Sequence, residues 1–422
     1  MVYQVASALA VNRDRLSAMI RQLAKIGALA NGGVQRLAFS AEDCRARDLV
    51  QQWMAAAKMT VTVDAAGNLI GRYPGRCPEA PPLVTGSHID TVPNAGHYDG
   101  AYGVLAGIEA VKTLAEQHQQ LDHPIEVIVF ADEERTMVGC KAMAGKLLAD
   151  ADLYRSRSGE AIQPCLARVG GNWDQIIQAQ RSPESMAAFV ELHVEQGPVL
   201  FSQQKQIGVV TGIVGQRRYW ITIKGQSSHA GTTPMSMRQD ALVAAAQMVL
   251  AINQIGHQPG DQVATVGRIE MSPNVPNSIP GQVEMSLDLR DLSSDRLDQL
   301  LTDIRQAIAA IAADTGTRVS LEQRLENAPA PANSHIQNAI AQVCQELDLT
   351  YCHLPSRASH DAQEMASITD MGMIFVPSEG GISHAETEFT TPADCANGAT
   401  VLLHTLMKLD QHYRSSKAPT RL

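Results

Sequence analysis

The fold of this chain is decided by residues 81–117, "PPLVTGSHIDTVPNAGHYDGAYGVLAGIEAVKTLAEQ". The stretch begins with a short apolar run that ends abruptly in polar residues, and it continues into a segment with helical spacing. A second apolar run, "IEVIVFADEE", follows at residues 125–134. Two short strands joined by a crossover helix are typical of a mostly parallel sheet with both faces covered. We therefore predict an α/β fold with a doubly wound sheet.

The pattern changes after residue 211. A strand-like alternation in "RRYWITIKG" is followed by a helical segment, by alternation in "QVATVGRIEM" and "QVEMSLDLR", by a second helical segment and by a last strand, "TRVSLEQRL". The order βαββαβ is that of the ferredoxin-like unit. We predict that residues 212–329 form a ferredoxin-like domain inserted into a catalytic domain made of residues 1–211 and 330–422.

The bulk composition excludes several classes of protein. The net charge of −10 argues against a nucleic-acid or anionic-membrane partner, and no apolar run approaches membrane-spanning length. The N-terminus has no basic region of the kind that begins a signal peptide. The seven cysteines are scattered without a CxxC pair, as expected in a reducing compartment. These features predict a cytoplasmic protein.

Residues with metal-binding chemistry recur where predicted strands end, which is where α/β sheets form their sites. Imidazole and carboxylate donors without thiolate suit Zn, Mn, Co or Ni. Five such donors with one shared carboxylate would hold two metals about 3.5–4 Å apart. The candidates are His88, Asp90, Asp99, Glu133, Glu134, His193 and His384.

Three of these candidates have an expected orientation. Asp90 follows His88 by two residues on the same strand face, so its carboxylate should accept the ring's second N–H as an outer-shell partner. Glu133 and Glu134 should point in opposite directions if the strand continues through them. One could then be a ligand while the other faces a metal-activated water as the base.

Each signal is weak on its own, because a lone HxD or a pair of glutamates is usually a solvated surface feature. The coincidence of acids or histidines at four strand ends favours a site. His97, beside the Asp99 loop, is ambiguous and stays outside the ligand set. Seven other histidines have no such setting and are expected on the surface or in the core: His118, His123, His257, His335, His353, His404 and His412.

The chain carries the motifs "GSHIDTV", "DGAYG", "ELHVEQG", "SSHAGTTPM", "PNSIPG" and "GISHAE", and the resemblance that they indicate covers nearly its whole length. With them the chain resembles the dinuclear-metal aminoacylase and carboxypeptidase superfamily. Within it, the chain is most similar to the N-carbamoyl-L-amino-acid hydrolases, β-ureidopropionases and allantoate amidohydrolases. The resemblance implies that the inserted domain is a lid and dimerisation domain and that the chain forms a homodimer through it.

The resemblance also implies the cofactors and the ligand set. Two divalent metal ions per subunit are expected, Zn²⁺ first, with Mn²⁺, Co²⁺ or Ni²⁺ as alternatives. Glu133 would be the general base. His193 occupies a position where related peptidases use a carboxylate, which favours the carbamoylase branch. Two metal triads would share Asp99 as the bridge: His88, Asp99 and His193, and Asp99, Glu134 and His384.

Four further residues are implied to act on the substrate. Gln196 would contact the substrate near the metals, and His229 would bind it and stabilise the tetrahedral oxyanion. Asn277 and Arg290 would hold the substrate carboxylate, for which a guanidinium is a natural partner. The alternation around Arg290 also fits an ordinary exposed strand cation, so both interpretations remain open.

The implied activity is metal-dependent hydrolysis of the carbamoyl C–N bond of N-carbamoyl-L-amino acids or a similar ureido carboxylate. Alternatives are an allantoate amidohydrolase, an aminoacylase or dipeptidase acting on ordinary amides, and a non-catalytic relative that binds a carboxylate ligand. Arg135, Arg357 and Ser359 depart from the family pattern in loops that should line the pocket. These departures leave the substrate open.

Overall fold

The computed structural model describes residues 9–416, so the first eight residues of the segment considered for a signal peptide lie outside the described part. The chain divides into two compact units, Met1–Gly212 with Pro331–Leu422, and Ile213–Ala330. The predicted α/β class, with a large mostly parallel sheet and a separate antiparallel sheet, is confirmed. The roles of the second unit as lid and dimerisation domain stay predictions.

The strands are β1 (Thr60–Val63), β2 (Leu69–Tyr73), β3 (Leu83–His88), β4 (Ile125–Phe130), β5 (Ala188–Val194), β6 (Ile207–Ile213), β7 (Gly215–Lys224), β8 (Ser228–His229), β9 (Val263–Thr265), β10 (Ile269–Ser272), β11 (Ser278–Ile279), β12 (Gln282–Asp291), β13 (Arg318–Asn327), β14 (Ala330–Pro331), β15 (Tyr351–Ser356) and β16 (Met371–Val376).

The α-helices are α1 (Arg13–Ala24), α2 (Ala41–Ala56), α3 (Ala101–Glu116), α4 (Val138–Met143), α5 (Ile162–Arg168), α6 (Val199–Ser202), α7 (Ala241–Gly256), α8 (Ser294–Thr315), α9 (Ser334–Glu346), α10 (Asp361–Met365) and α11 (Pro392–Ser416). Short 3₁₀ helices cover Ala151–Leu153, Trp173–Ala179, Pro183–Ser185, Met235–Met237 and Glu379–Gly381. Among residues 9–416, none of the helices is both long enough and apolar enough to cross a bilayer.

The first unit is built on a nine-stranded sheet in the order β1-β2-β4-β3-β5-β16-β6-β14, with β15 paired to β6. The four central strands β4, β3, β5 and β16 are parallel. Every residue of these four strands is buried, because helices such as α3 and α11 pack on the sheet. Their carboxyl ends therefore meet at one edge, which sets the position of the site.

Two features of this unit follow from local sequence. Ser40 caps α2, where its hydroxyl accepts the N–H of Asp43 at 3.2 Å. Strands β1 and β2 form an antiparallel hairpin, with Thr60 opposite Arg72. Cap and turn residues act locally, which explains why the sequence alone is enough to place them.

The second unit has the ferredoxin-like order, with an antiparallel sheet β10-β12-β7-β13 and the helices α7 and α8 packed against it. The single strand predicted over residues 262–271 is instead two strands, β9 and β10, which both pair with β12. The break contains Gly267, which offers no side chain to a ladder, and a glycine inside a strand pattern often marks such an interruption.

Candidate functional site

The carboxyl edge of the central strands gathers the predicted metal ligands. Four donor groups occur among the described residues, and in each the possible ligand atoms lie within 4.8 Å of one another. Two of the groups share Asp99, so all five predicted ligands come together around one carboxylate. The four groups are His88, Asp99 and His193; Asp99, Glu134 and His384; His88, Glu133 and Glu134; and Glu191, His193 and His360.

The spacing of these atoms fits bound metals. The Oδ1 atom of Asp99 lies 3.2 Å from Nε2 of His193 and 3.7 Å from Nε2 of His88. Its Oδ2 atom lies 2.9 Å from Nε2 of His384, which is 3.7 Å from Oε1 of Glu134. Donors bound tetrahedrally at about 2.0–2.2 Å from a metal are roughly 3.3–3.6 Å apart. The arrangement is thus close to what two metal sites require.

In two histidines Nε2 is the ring nitrogen without a proton and faces the donor cluster, where that of His193 accepts the backbone N–H of Gly100 at 3.0 Å. The Nδ1 atom of His88 lies 2.9 Å from the carbonyl oxygen of Asp90, and that of His193 lies 2.9 Å from the carbonyl oxygen of Val194. A carbonyl oxygen can only accept, so in the neutral ring Nδ1 carries the proton and Nε2 keeps its lone pair. Backbone bonds of this kind fix the tautomer and orientation that a metal ligand needs.

The site concentrates buried negative charge. The side chains of Glu133 and Glu134 are each only 10% exposed. Burial and the charge of Asp99 raise the pKa of Glu134 to about 8. Burial, followed by the charge of Asp361, raises the pKa of Glu133 well above its usual range. Divalent cations among these groups would offset the repulsion and favour the ionised carboxylates.

The strand does not continue through Glu133 and Glu134, so the opposite directions expected on that condition do not apply. Strand β4 ends at Phe130, and both glutamates lie in a turn. The turn starts at Asp132, which has a φ of 57° and whose carboxylate accepts the backbone N–H of Thr136 at 3.3 Å. Asp adopts this left-handed conformation more readily than most residues because its side chain bonds nearby backbone. The turn brings both glutamates to the donor cluster instead of pointing them apart.

The contact expected for the Asp90 carboxylate is wrong. The Nδ1–H group of His88 donates to the backbone carbonyl oxygen of Asp90. The carboxylate oxygen Oδ1 of Asp90 lies 3.8 Å from the same Nδ1 atom. The reason is that β3 ends at His88, so strand alternation no longer sets the direction of the Asp90 side chain. Its Oδ2 atom instead accepts the backbone N–H of Glu134 at 3.2 Å. Asp90 therefore supports the glutamate turn through its side chain.

Gln196 lies beside the two triads. Its Nε2 atom donates to Oδ2 of Asp99 at 2.8 Å, and its backbone N–H donates to the hydroxyl of Ser378 at 3.0 Å. Its Oε1 atom is buried and has no hydrogen-bond partner within the described chain. A buried amide oxygen without a partner is costly unless something else donates to it.

The three remaining predicted residues lie in the second unit. His229 on β8 pairs with Ser278 on β11, and the N–H of Ala230 donates to the carbonyl oxygen of Asn277 at 3.0 Å. The structure thus places Asn277, the residue before β11, beside His229 at the end of the two-stranded sheet. Arg290 lies in the five-stranded sheet, on β12, where its Nε donates to Oδ1 of Asp288 at 2.8 Å.

Two residues that the sequence left open lie outside the donor groups of the described chain. His97 belongs to none of them, and its Nε2 atom is 3.0 Å from the carbonyl oxygen of Gly32. Arg135 follows the paired glutamates, and its exposed guanidinium donates through Nε to the carbonyl oxygen of Arg155 at 2.8 Å. Arg135 therefore anchors the next loop and does not displace a candidate ligand.

A buried layer behind the donors was missed from the sequence. The carboxylate of Glu191 accepts the hydroxyl of Ser87 and the backbone N–H of Ala362, both at 2.8 Å. The ring of His360 lies 4.6 Å from that of His193. A signal existed, since Glu191 precedes His193 by two residues on β5 and must share its face.

Comparison with known proteins agrees with this geometry. The model of peptidase family M20/M25/M40 matches residues 84–408. The chain is 41% identical to an N-carbamoyl-L-amino acid amidohydrolase of Geobacillus stearothermophilus, over 95% of this chain and 99% of that protein. It is 35% identical to an allantoate amidohydrolase of Bacillus subtilis, over 94% of this chain and 98% of the relative.

A solved structure of similar sequence shares the fold of this chain. It is an amidase of the hydantoinase/carbamoylase family from Burkholderia multivorans, with a TM-score of 0.89 and 38% identity. The match covers 95% of this chain and 98% of that one. The resemblance predicted from the motifs is therefore confirmed, and the chain belongs to peptidase family M20/M25/M40.

Proposed function

We propose that the chain hydrolyses the carbamoyl C–N bond of N-carbamoyl-L-amino acids. The observation that carries the proposal is the pair of donor triads that share Asp99, with the carboxylate of Glu133 beside them. The high identity to an N-carbamoyl-L-amino acid amidohydrolase over nearly the full length of both chains supports the choice of substrate.

The chemistry of the donor set fits two divalent ions, Zn²⁺ first, with Mn²⁺, Co²⁺ or Ni²⁺ as alternatives. His88, Asp99 and His193 would hold one ion, and Asp99, Glu134 and His384 the other. When bound, the ions would supply positive charge that polarises the substrate carbonyl and makes a nearby water easier to deprotonate. Asp90 would keep Glu134 in place through its bond to the turn.

Glu133 is the proposed base. Its carboxylate takes a proton from the attacking water and later delivers it to the leaving nitrogen of the amino acid, so that no net proton is consumed. The other product, carbamic acid, breaks down to CO₂ and ammonia. Burial and the neighbouring carboxylates raise the pKa of Glu133, and the charge of bound divalent ions would offset this and keep the carboxylate ionised, as a base must be.

His229 is the proposed donor to the oxyanion. Its Nδ1 atom accepts the backbone N–H groups of Gly231 and Thr232 at 3.1 and 3.2 Å. The ring proton must then lie on Nε2, where it can be donated to a developing negative charge. Gln196 would bind the substrate through its unpartnered Oε1 atom, which can accept a ureido N–H.

Several finer roles belong to the same proposal. Asn277 and Arg290 would bind the substrate carboxylate, and the second unit would act as lid and dimerisation domain in a homodimer.

The proposed location is the cytoplasm. Its reducing conditions fit seven cysteines that form no disulfide bond: Cys44, Cys77, Cys140, Cys165, Cys344, Cys352 and Cys395.

A substrate panel tests the proposed reaction. We expect protein reconstituted separately with Zn²⁺ and Mn²⁺ to cleave N-carbamoyl-L-amino acids with kcat/KM at least about 100-fold above that for N-acetyl-L-amino acids. The reason is that a site that accepts hydrogen bonds from a ureido group rejects an analogue without the terminal NH₂. Good turnover of N-acetyl compounds beside negligible turnover of carbamoyl compounds would favour an aminoacylase or dipeptidase.

Allantoate amidohydrolase is the second candidate, because a relative of that name matches 94% of the chain at 35% identity. Allantoate carries two ureido groups and one carboxylate, so the same site chemistry applies. Allantoate therefore belongs in the panel, and a higher kcat/KM for it than for every N-carbamoyl amino acid would select this candidate. No turnover of any compound by metal-loaded protein would indicate a non-catalytic, ligand-binding relative.

A glycine at the start of α3 provides a test of the metal site. Gly100 has a φ of 62°, its N–H donates to Nε2 of His193 at 3.0 Å, and an added Cβ would lie 2.4 Å from the ring of His88. We expect Gly100→Ala to displace His88 and to lower metal affinity, by about 10-fold or more as for disturbed outer-shell contacts. Gly267→Ala is the control, since its Cβ would find its nearest neighbour at 3.9 Å. Equal metal affinity of the two variants would contradict the proposed role of His88.

A further inference from the structure

We propose that Glu388 is a positioning residue that holds the loop of Asp99 against the loop of His384. Its role would be to set the geometry in which both ligand triads share one carboxylate. This inference rests on the proposed metal-dependent function, because it assigns Glu388 a task only if Asp99 and His384 bind metal.

The contacts of Glu388 join two distant segments. Its side chain is buried, with 4% of the residue exposed. Oε1 accepts the backbone N–H groups of Tyr98 at 2.8 Å and Asp99 at 3.1 Å. Oε2 accepts the hydroxyl of Ser383 at 2.8 Å. One oxygen therefore holds the segment that carries the shared carboxylate, and the other holds the neighbour of His384.

The Asp99 loop leaves room for this side chain. A Cβ added at Gly96 would lie 2.3 Å from Cβ of Glu388 and 2.4 Å from its Oε1. Real Cβ atoms do not approach other atoms so closely, so any larger residue at position 96 would push the carboxylate away. Gly96, the first glycine of the "NAGHYDG" segment, thus allows the contact with Glu388, which the sequence alone did not indicate.

The linkage matters because the half-exposed ring of His384 contacts other side chains of the site at its tip, where Gln196 Nε2 lies 3.3 Å from its Nε2, and the backbone of its loop must hold it there. Its side chain is 48% exposed, yet its Nε2 atom must stay 2.9 Å from Oδ2 of Asp99. Ligand geometry tolerates errors of only about 0.5 Å, and outer-shell partners enforce it. Ser383 strengthens the linkage, because its hydroxyl also lies 3.4 Å from Oδ2 of Asp99.

Three substitutions separate positioning from charge. Glu388→Gln keeps the shape: its oxygen can still accept from Tyr98 and Asp99, and its NH₂ can donate to the Ser383 hydroxyl. Glu388→Asp keeps the charge but is one methylene too short to bond both loops. Glu388→Ala removes both the charge and the hydrogen bonds to the two loops. Glu386→Ala is the control, because this carboxylate on the same loop is exposed and accepts a hydrogen bond from the side-chain amide of Asn94 at 2.8 Å.

The measurement is metal affinity on the full-length chain, by competition with a chromogenic chelator for Zn²⁺, together with metal content after dialysis. We expect Glu388→Asp and Glu388→Ala to bind Zn²⁺ about 10–100-fold more weakly than wild type. Glu388→Gln and Glu386→Ala should stay within about 3-fold of it. Circular dichroism checks folding, and if the Ala variant does not fold, the Gln and Asp pair still decides.

The outcomes distinguish this inference from the proposed function. Zn²⁺ affinity equal to wild type in Glu388→Asp would overturn the positioning role. If Glu388→Gln also bound Zn²⁺ more weakly in that case, the charge of Glu388 and not its reach would be what matters. A wild-type chain that binds no divalent metal would overturn the proposed function itself and the inference with it.

Discussion

Asp99→Ala is expected to abolish both metal binding and hydrolysis, because it removes the one carboxylate common to both donor triads. Each triad would keep only two ligands, too few to retain an ion against dialysis. We expect metal content to fall from two ions per subunit to fewer than one, and kcat/KM to fall at least about 10³-fold, since stabilisation of the oxyanion by the ions is lost. Inductively coupled plasma mass spectrometry and steady-state assays measure the two effects.

A neutral isostere refines this result. Asp99→Asn keeps the size and one oxygen, so it should fold as well as wild type and retain at most part of the metal. The amide replaces one of the two carboxylate oxygens, which now lie 3.2 Å from Nε2 of His193 and 2.9 Å from Nε2 of His384, so one triad loses its shared ligand atom. Asp152→Ala is the control, because it removes an exposed carboxylate that belongs to neither triad. Two tightly bound ions in Asp99→Ala would refute the bridging role.

The site could be predicted from the sequence wherever regular strand geometry determines side-chain position. His88 closes β3 and His193 lies near the end of β5, and because these strands are parallel neighbours, their ends had to meet. The same alternation places Glu191 behind His193, and we could have predicted that contact. In the second unit, alternation identified β7 and β12 for the same reason.

Prediction failed where the chain leaves a strand. The left-handed conformation of Asp132 turns the backbone so that Glu133 and Glu134 reach one cluster, and a two-residue period cannot anticipate such a turn. The same limit applies to Asp90, whose carbonyl replaces its carboxylate as the partner of His88. Irregular backbone at a strand end is set by tertiary hydrogen bonds, which a local pattern does not contain.

Long-range contacts between loops were also invisible. Glu388 bonds Asp99 across 289 positions of the chain, and no motif links the two. The glutamate is simply one of several polar residues after "GISHAE", with no spacing that would distinguish it from Glu386. Only the folded structure shows that one of these carboxylates is buried and the other exposed.

Glu133→Gln is expected to abolish turnover while leaving metal content near two ions per subunit. The substitution keeps the shape of the side chain but removes its capacity to take a proton from water. General-base catalysis contributes about 10²–10⁴-fold, so we expect kcat to fall by that factor or more. Steady-state assays of an N-carbamoyl-L-amino acid, with metal analysis of the same sample, provide the test.

The adjacent glutamate makes the test decisive. Glu133 Oε2 lies 3.6 Å from Nε2 of His88, so its position alone would also allow it to be a metal ligand. Glu134 Oε1 lies 3.7 Å from Nε2 of His384, within the triad that includes Asp99. Glu134→Gln should therefore lose metal as well as activity, whereas Glu133→Gln loses activity alone. If Glu133→Gln also loses an ion, Glu133 is a ligand and the base must be sought elsewhere; if it retains full kcat, the proton is taken by another group.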